Sequence, residues 1–160
     1  MPIARIPLIG LIPLAILGTF APLAVAGGGY AVYQSGAAFD DVLEGLKLAI
    51  EERGMYINNV MHLSEMLDRT GKDLGQDQPI YARAESIEFC SAVLSREMTT
   101  EDPSRLVNCP FIISVYTLPD QAGTTYVVHR EIPEDQVAGS AVMARISTML
   151  KEVAGAAAAW

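Results

Sequence analysis

The chain has 160 residues, and its 19 acidic side chains outnumber 11 basic ones, which gives a formal net charge of −8. Nucleic-acid binding depends on Lys and Arg side chains that neutralise phosphates, so this acidic chain without a basic run is a poor candidate for it. The same charge argues against electrostatic docking on anionic lipid, and the length suits one domain.

The first 29 residues are predicted to be a membrane segment that ends in a glycine hinge. Residues 6–26 are apolar apart from one Thr, and about 20 such residues are enough to span a bilayer. Three prolines in this run predict a kinked span, which lipid tolerates. A cleavable secretory signal is the alternative, because Arg5 supplies a positive start and residues 24–26 read Ala-Val-Ala, a small-x-small cleavage site.

Both alternatives predict the same location for the rest of the chain. Arg5 precedes the apolar run, whereas Asp40, Asp41 and Glu44 follow it. Positive charge stays on the cytoplasmic side, so we expect a single-pass protein whose domain faces the periplasm. That compartment permits disulfides.

Residues 30–160 are predicted to form a single α+β domain. Helical spacing of apolar residues indicates a helix over 39–50, ended near Gly54, and period-two alternation indicates a strand over 55–63 with residues 55, 57, 59, 61 and 63 on one face. Further strands are expected at 30–34, 80–87, 111–118 and 124–132, the last two joined as a hairpin. Further helices are expected after Ser64, at 90–98 and from Pro133 onward. This order predicts a largely antiparallel sheet with helices packed on one face.

The sequence lacks the motifs of several enzyme classes. It has no Gly-x-Ser-x-Gly, no His-Glu-x-x-His, no haem-attachment motif and no paired Cys-x-x-Cys zinc site. His62 and His129 fall on predicted strands, where a single histidine is usually an ordinary polar residue. Glu85 and Glu88 are close enough in sequence to flank a site, but such carboxylates on an acidic protein are usually solvated. We therefore expect no catalytic residues and no cofactor.

The two cysteines, Cys90 and Cys109, are the most specific chemical feature. They lie at the ends of an excursion between two predicted strands, and a disulfide there closes a loop of about 20 residues and adds about 3 kcal/mol of stability. Three other roles remain open: a pair of buried free thiols, a redox-active thiol, and a soft-metal site in which Met98 joins the two cysteines.

Two stretches of sequence resemble a known family. Residues 87–98 read IEFCSAVLSREM and residues 108–116 read NCPFIISVY, and in these the chain resembles the family named domain of unknown function 302. The resemblance runs from about residue 30 to residue 133 and indicates a cysteine-containing branch. It implies a compact α+β domain with an element order like that of the TATA-binding-protein-like folds, often dimeric. It brings no established catalytic residues.

These observations favour a non-enzymatic, membrane-anchored extracytoplasmic protein. We expect an accessory or docking subunit of a membrane complex, such as one for electron transfer, whose partners are the lipid bilayer, membrane-protein subunits and a second copy of the chain. The alternative is a periplasmic thiol-redox or soft-metal and ligand-binding protein that uses the cysteine pair.

Overall fold

The computed structural model describes residues 24–160 and has an antiparallel sheet at its centre. All neighbouring strands in the order β1-β2-β6-β5-β4-β3 run antiparallel. The strands are β1 Ala24–Gly27, β2 Tyr30–Ser35, β3 Tyr56–His62, β4 Arg83–Cys90, β5 Phe111–Thr117 and β6 Thr125–Arg130. The α+β class and the antiparallel sheet are therefore confirmed.

Two helices cover one face of this sheet. The helices are α1 Phe39–Glu51, α2 Leu63–Asp73, α3 Ala92–Glu101, α4 Glu134–Gly139 and α5 Ala141–Ala158, with a 3-10 helix at Pro103–Asn108. Helices α1 and α5 pack on each other and on the strands. Completely buried apolar side chains fill the space between them, and these include Leu46, Ile87, Ile113, Val127 and Ile146. Helix packing on one face is thus confirmed for α1 and α5.

The predicted glycine hinge is a tight turn between two strands. Gly27 pairs with Tyr30 across the β1–β2 hairpin, so Gly28 and Gly29 form a two-residue loop. Both have positive φ, +72° and +84°, as the favoured hairpin turn of this length requires, and glycine adopts that conformation without strain. The prediction of a flexible joint here is wrong, since these glycines form a defined hairpin turn. A Gly-Gly pair between two extended segments is a known sequence signal for such a turn.

The predicted membrane segment lies mostly outside the described residues. Of residues 6–26, only 24–26 are described, and they belong to strand β1. In the part of the chain that the structure covers, no helix is long and apolar enough to cross a membrane.

A β-bulge interrupts the expected alternation in β3. Ile57 pairs with Phe89, but Asn59 pairs with Glu88, so Asn58 is an extra residue between two consecutive ladder positions. Side chains alternate between the two faces of a strand, so one extra residue moves every side chain after the bulge to the opposite face of the sheet. Val60, which pairs with Ile87, therefore packs against the core, and the prediction that residues 55 to 63 alternate without interruption is wrong.

Other element boundaries also differ from those predicted. Strand β4 ends at Cys90 and α3 begins at Ala92, so Cys90 is a strand residue. Helix α2 begins at Leu63, ahead of Ser64. The predicted C-terminal helix is two helices, because Ser140 is extended with φ −151° and caps α5 by accepting a hydrogen bond from the Met143 amide.

The sheet face opposite α1 and α5 exposes aromatic and aliphatic side chains. The rings of Tyr116 and Tyr126 stack with centroids 4.8 Å apart, and Tyr81 meets Tyr116 edge to face at 5.3 Å. Strand alternation places Ile112 on the same face as Tyr116, and Ile112 is 45% exposed. We name this surface, formed by Tyr116, Tyr126, Tyr81 and Ile112, the tyrosine face.

Candidate thiol site

Strand pairing brings the two cysteines together. Phe89 on β4 is paired with Phe111 on β5, so the residue after Phe89 and the chain entering β5 lie at the same end of the sheet. Cys90 follows Phe89 directly, and Cys109 ends the 3-10 helix just before β5, its amide donating to the Leu106 carbonyl at 3.0 Å. The connection from β4 through α3 and the 3-10 helix to β5 therefore begins and ends at the same end of the sheet.

The thiol sulfurs of Cys90 and Cys109 are 3.6 Å apart. A disulfide bond is about 2.05 Å long, so no bond joins the sulfurs, and both residues are half-buried free thiols. The disulfide expected from the sequence is not present in the structure and stays a prediction. The separation nevertheless places each sulfur in direct contact with the other.

Two polar side chains contact the thiols. Asn58 Nδ2, in the bulge of β3, donates a hydrogen bond to Cys90 Sγ at 3.1 Å, and Ser95 Oγ on α3 lies 3.6 Å from Cys109 Sγ. Burial is the main factor that raises the pKa of the Cys90 thiol, and Cys109 and Glu88 raise it further, while the Asn58 amide acts in the opposite direction. Neither Asn58 nor Ser95 was recognised from the sequence.

Met98, the predicted third ligand of a soft-metal site, is completely buried in the hydrophobic core. That position is typical of a methionine that fills core space. Over residues 24–160 no group of three or more His, Cys, Asp and Glu side chains is arranged to hold a metal ion. The structure brings the two thiol sulfurs into contact, and the metal role of Met98 stays a prediction.

His62 and Glu85 belong to a cluster of polar side chains at the other end of β4. His62 Nδ1 lies 3.5 Å from a Glu85 oxygen, and Arg83 lies 3.8 Å from Glu85 and 2.8 Å from Asp40. The Arg83 guanidinium also sits over the Phe39 ring, 4.0 Å from its centroid. The hydrogen bond and charge of Arg83 lower the pKa of the Asp40 carboxyl. These contacts join β4 to the start of α1.

Glu85 and Glu88 do not share a site. Glu85 pairs with Val115 and Glu88 pairs with Ile112 in the β4–β5 ladder. Val115 is completely buried in the core, whereas Ile112 belongs to the tyrosine face. Residues three apart on a regular strand point to opposite faces, so the two carboxylates are separated by the sheet.

His129 is a buried core histidine. It is 3% exposed, its ring stacks on that of Tyr33 with centroids 5.8 Å apart, and its Nδ1 lies 2.9 Å from the Arg130 carbonyl oxygen. Burial lowers the pKa of His129 and outweighs the Arg130 carbonyl and Glu131, which raise it, while Lys151 makes the smallest contribution and lowers it. The imidazole is therefore held neutral in the fold.

This burial predicts that the protein loses stability when the pH falls below about 6.5, the ordinary pKa of histidine. In that range the unfolded chain binds a proton that folded His129 resists, so protonation favours unfolding until the lower folded pKa is reached. Thermal unfolding between pH 7.5 and 5.5 measures the effect. The pH dependence should weaken in His129→Gln and persist in His62→Gln, because His62 is the exposed histidine. An equal dependence in both variants would contradict the assignment.

A cleft lies where α4 meets α5. This half-open cleft of about 540 Å³ is lined by Lys151, Glu131 and Glu134 together with apolar side chains such as Ile132 and Val137. Its volume is within the range of small-molecule sites. The one lysine and two glutamates in its lining do not indicate a particular class of ligand. This cleft was not predicted from the sequence, because it depends on the break between the two helices.

The fold and the thiol pair define a small α+β protein with one candidate site for sulfur chemistry. The sequence matches the family described as domain of unknown function DUF302 over residues 31–159, and the chain belongs to that family. The match continues through α5, well beyond the residue 133 expected from the motifs. No curated protein matches the sequence.

A solved structure shares the fold. It is described as the crystal structure of an uncharacterized conserved protein DUF302 from Bacillus stearothermophilus. The TM-score is 0.61 and the sequence identity is 14%, over 82% of this chain and 97% of that chain. At this identity the likeness concerns the fold alone.

Proposed function

We propose that this protein is a thiol–disulfide redox protein in which Cys90 and Cys109 cycle between a dithiol and an intramolecular disulfide. The observation that supports the proposal is the 3.6 Å contact between the two sulfurs of half-buried thiols. Closing that distance to bond length needs the two sulfurs to approach each other by about 1.5 Å. The acidic domain facing the periplasm, as proposed from the sequence, would work in a compartment that permits disulfides.

The reaction needs an oxidant, and the chemistry indicates a disulfide on a partner molecule. One thiolate of the pair attacks a partner sulfur, forming a mixed disulfide and releasing one partner thiol. The second cysteine then attacks the mixed disulfide, forming the Cys90–Cys109 bond and releasing the second partner thiol. Two electrons and two protons pass from the cysteine pair to the partner, whose disulfide is reduced to a dithiol.

The test is oxidation of the purified chain with glutathione disulfide, followed by intact mass measurement and thiol counting. We expect both thiols to disappear together, with a loss of two hydrogens and no bound glutathione. Reduction with dithiothreitol should restore both thiols. Cys109→Ser is the matched control, because it retains Cys90 and should stop at the mixed disulfide with one glutathione attached. A native protein that stops at the same stage would overturn the proposal.

A second function is favoured by the tyrosine face. The stacked aromatic rings and the exposed Ile112 lie on the sheet face that α1 and α5 leave uncovered, and aromatic residues are enriched at protein interfaces. We propose as the alternative a non-enzymatic accessory subunit, held at the membrane by its N-terminal segment. Its partners would be subunits of a membrane complex, such as one for electron transfer, or a second copy of the chain.

The two functions are separated by one pair of variants. Tyr116→Ala removes part of the tyrosine face, whereas Cys90→Ser removes one thiol of the pair. Copurification with membrane subunits in mild detergent that is lost only in Tyr116→Ala favours the accessory role. Thiol exchange that is lost only in Cys90→Ser favours the redox role.

A further inference from the structure

The side chain of Asn58 is placed at the thiol pair by the bulge in β3. Tyr56 pairs with Cys90, Ile57 with Phe89 and Asn59 with Glu88, which leaves Asn58 without a partner in the ladder. Asn58 is an exposed residue, and its side-chain Nδ2 lies 3.1 Å from Cys90 Sγ. A regular strand would pair Asn58 with Glu88 instead.

The two cysteines differ in their surroundings. Cys109 is packed against the hydrophobic core, whereas Cys90 ends a strand beside Tyr56, which is 62% exposed. Asn58 donates to Cys90, and within residues 24–160 no amide group donates to the sulfur of Cys109. The hydroxyl of Ser95, 3.6 Å from Cys109, is a longer contact. Cys90 is therefore both the thiol with an amide donor and the one at the strand end.

A hydrogen bond donated to sulfur favours the thiolate over the thiol, because it stabilises the negative charge. Thiolates are the species that attack a disulfide. Burial, Cys109 and the Glu88 carboxylate together raise the pKa of Cys90, and the Asn58 amide is the neighbour that acts in the opposite direction and favours the thiolate. Loss of that amide should therefore slow any reaction that requires the Cys90 thiolate.

We propose that Cys90 is the attacking thiol of the pair, that Cys109 is the resolving thiol, and that Asn58 is the positioning residue that supports the Cys90 thiolate. This inference rests on the redox function proposed above and assigns different roles to its two sulfurs. Asn58 acts through Cys90 and does not itself touch the substrate.

The chain supplies a matched control one residue away. Asn59 has the same side chain on the same strand and is also exposed, but it makes no hydrogen bond to either thiol. Asn58→Ala and Asn59→Ala therefore remove the same atoms from neighbouring positions. Asn58→Asp adds a carboxylate of nearly the same shape, which replaces the donor and repels the thiolate.

The experiment measures reaction with Ellman's reagent, a small aromatic disulfide, across pH 6 to 10 in single-cysteine proteins. With Cys109→Ser as background, we expect Asn58→Ala to slow Cys90 by about threefold to tenfold at pH 7 and to move the midpoint of the pH–rate profile upward. Asn58→Asp should be slower still, and Asn59→Ala should match its parent. With Cys90→Ser as background, Cys109 should react more slowly than Cys90 and should not respond to Asn58→Ala.

A purely structural role for Asn58 would change thermal stability without moving the pH–rate profile. An unchanged profile in folded Asn58→Ala, or a faster reaction at Cys109 than at Cys90, would overturn the assignment. Failure of the redox function would be visible separately, as a native protein that forms no Cys90–Cys109 disulfide with glutathione disulfide. The reaction rates of the single-cysteine proteins do not depend on formation of the Cys90–Cys109 disulfide. Failure of the assigned roles and failure of the redox function are therefore distinguishable.

Discussion

Replacing Phe89 with alanine is expected to lower the free energy of unfolding by about 3–5 kcal/mol. Phe89 is completely buried, and its ring lies 5.8 Å from that of Phe111, its partner in the β4–β5 ladder. Truncation removes a large apolar side chain from the hydrophobic core and leaves a cavity there. Because Phe89 directly precedes Cys90, the same change should also loosen the position of the thiol.

Chemical denaturation of the reduced protein measures this loss, and Val107→Ala is the control. Val107 is 85% exposed, so its truncation should change stability by less than about 0.5 kcal/mol. A loss in Phe89→Ala no larger than that in Val107→Ala would contradict the placement of Phe89 in the core. Alkylation of Cys90 in the folded variant would report separately on the thiol.

The second large effect concerns oxidation of the cysteine pair. Cys90 and Cys109 are 19 residues apart in sequence, and cross-linking a loop of that size should raise the free energy of unfolding by about 3 kcal/mol in the loop-entropy model. Denaturation of the oxidised and reduced native protein under otherwise identical conditions measures the difference. The reduced protein is the reference state, because its thiols are in contact but not bonded.

Single and double cysteine variants show whether one bond accounts for the effect. Cys90→Ser and Cys109→Ser should each remove the whole gain seen under oxidising conditions, and the double variant should be little less stable than either single variant. Additive losses would indicate two independent buried thiols. A native protein whose stability does not depend on oxidation would indicate that the bond does not form.

The regular part of the fold follows from local patterns in the sequence. The apolar spacing that includes Leu46 and Ile50 predicts α1, and the β-branched and aromatic stretches around Val115 and Val127 predict the β5–β6 hairpin. The break at Ser140 was missed because apolar residues recur at helical spacing on both sides of it, although the Gly139-Ser140 pair is a signal for a helix end followed by an N-cap. A single capping residue stops one helix and starts the next there.

The candidate site was only half predictable. Cys90 and Cys109 could be chosen as candidates because they are the only cysteines in the sequence. They lie at the two ends of a connection between neighbouring strands, which explains why they are in contact. Asn58 is 32 residues from Cys90 in sequence, and its contact depends on a bulge whose position is set by strand pairing. Hydrophobic periodicity carries no information about such an extra residue, so the amide donor emerges only when the strands are assembled.

The bulge at Asn58 also affects how the exposed margin of the sheet behaves toward other chains. Strand β3 is at one end of the strand order, so its outer backbone groups have no neighbouring strand in the described sheet. Such an edge can recruit a strand from another molecule and start aggregation. A bulge bends the strand and breaks the even spacing of its donors and acceptors. The feature that brings an amide to the Cys90 sulfur thereby also limits unwanted strand addition at this edge.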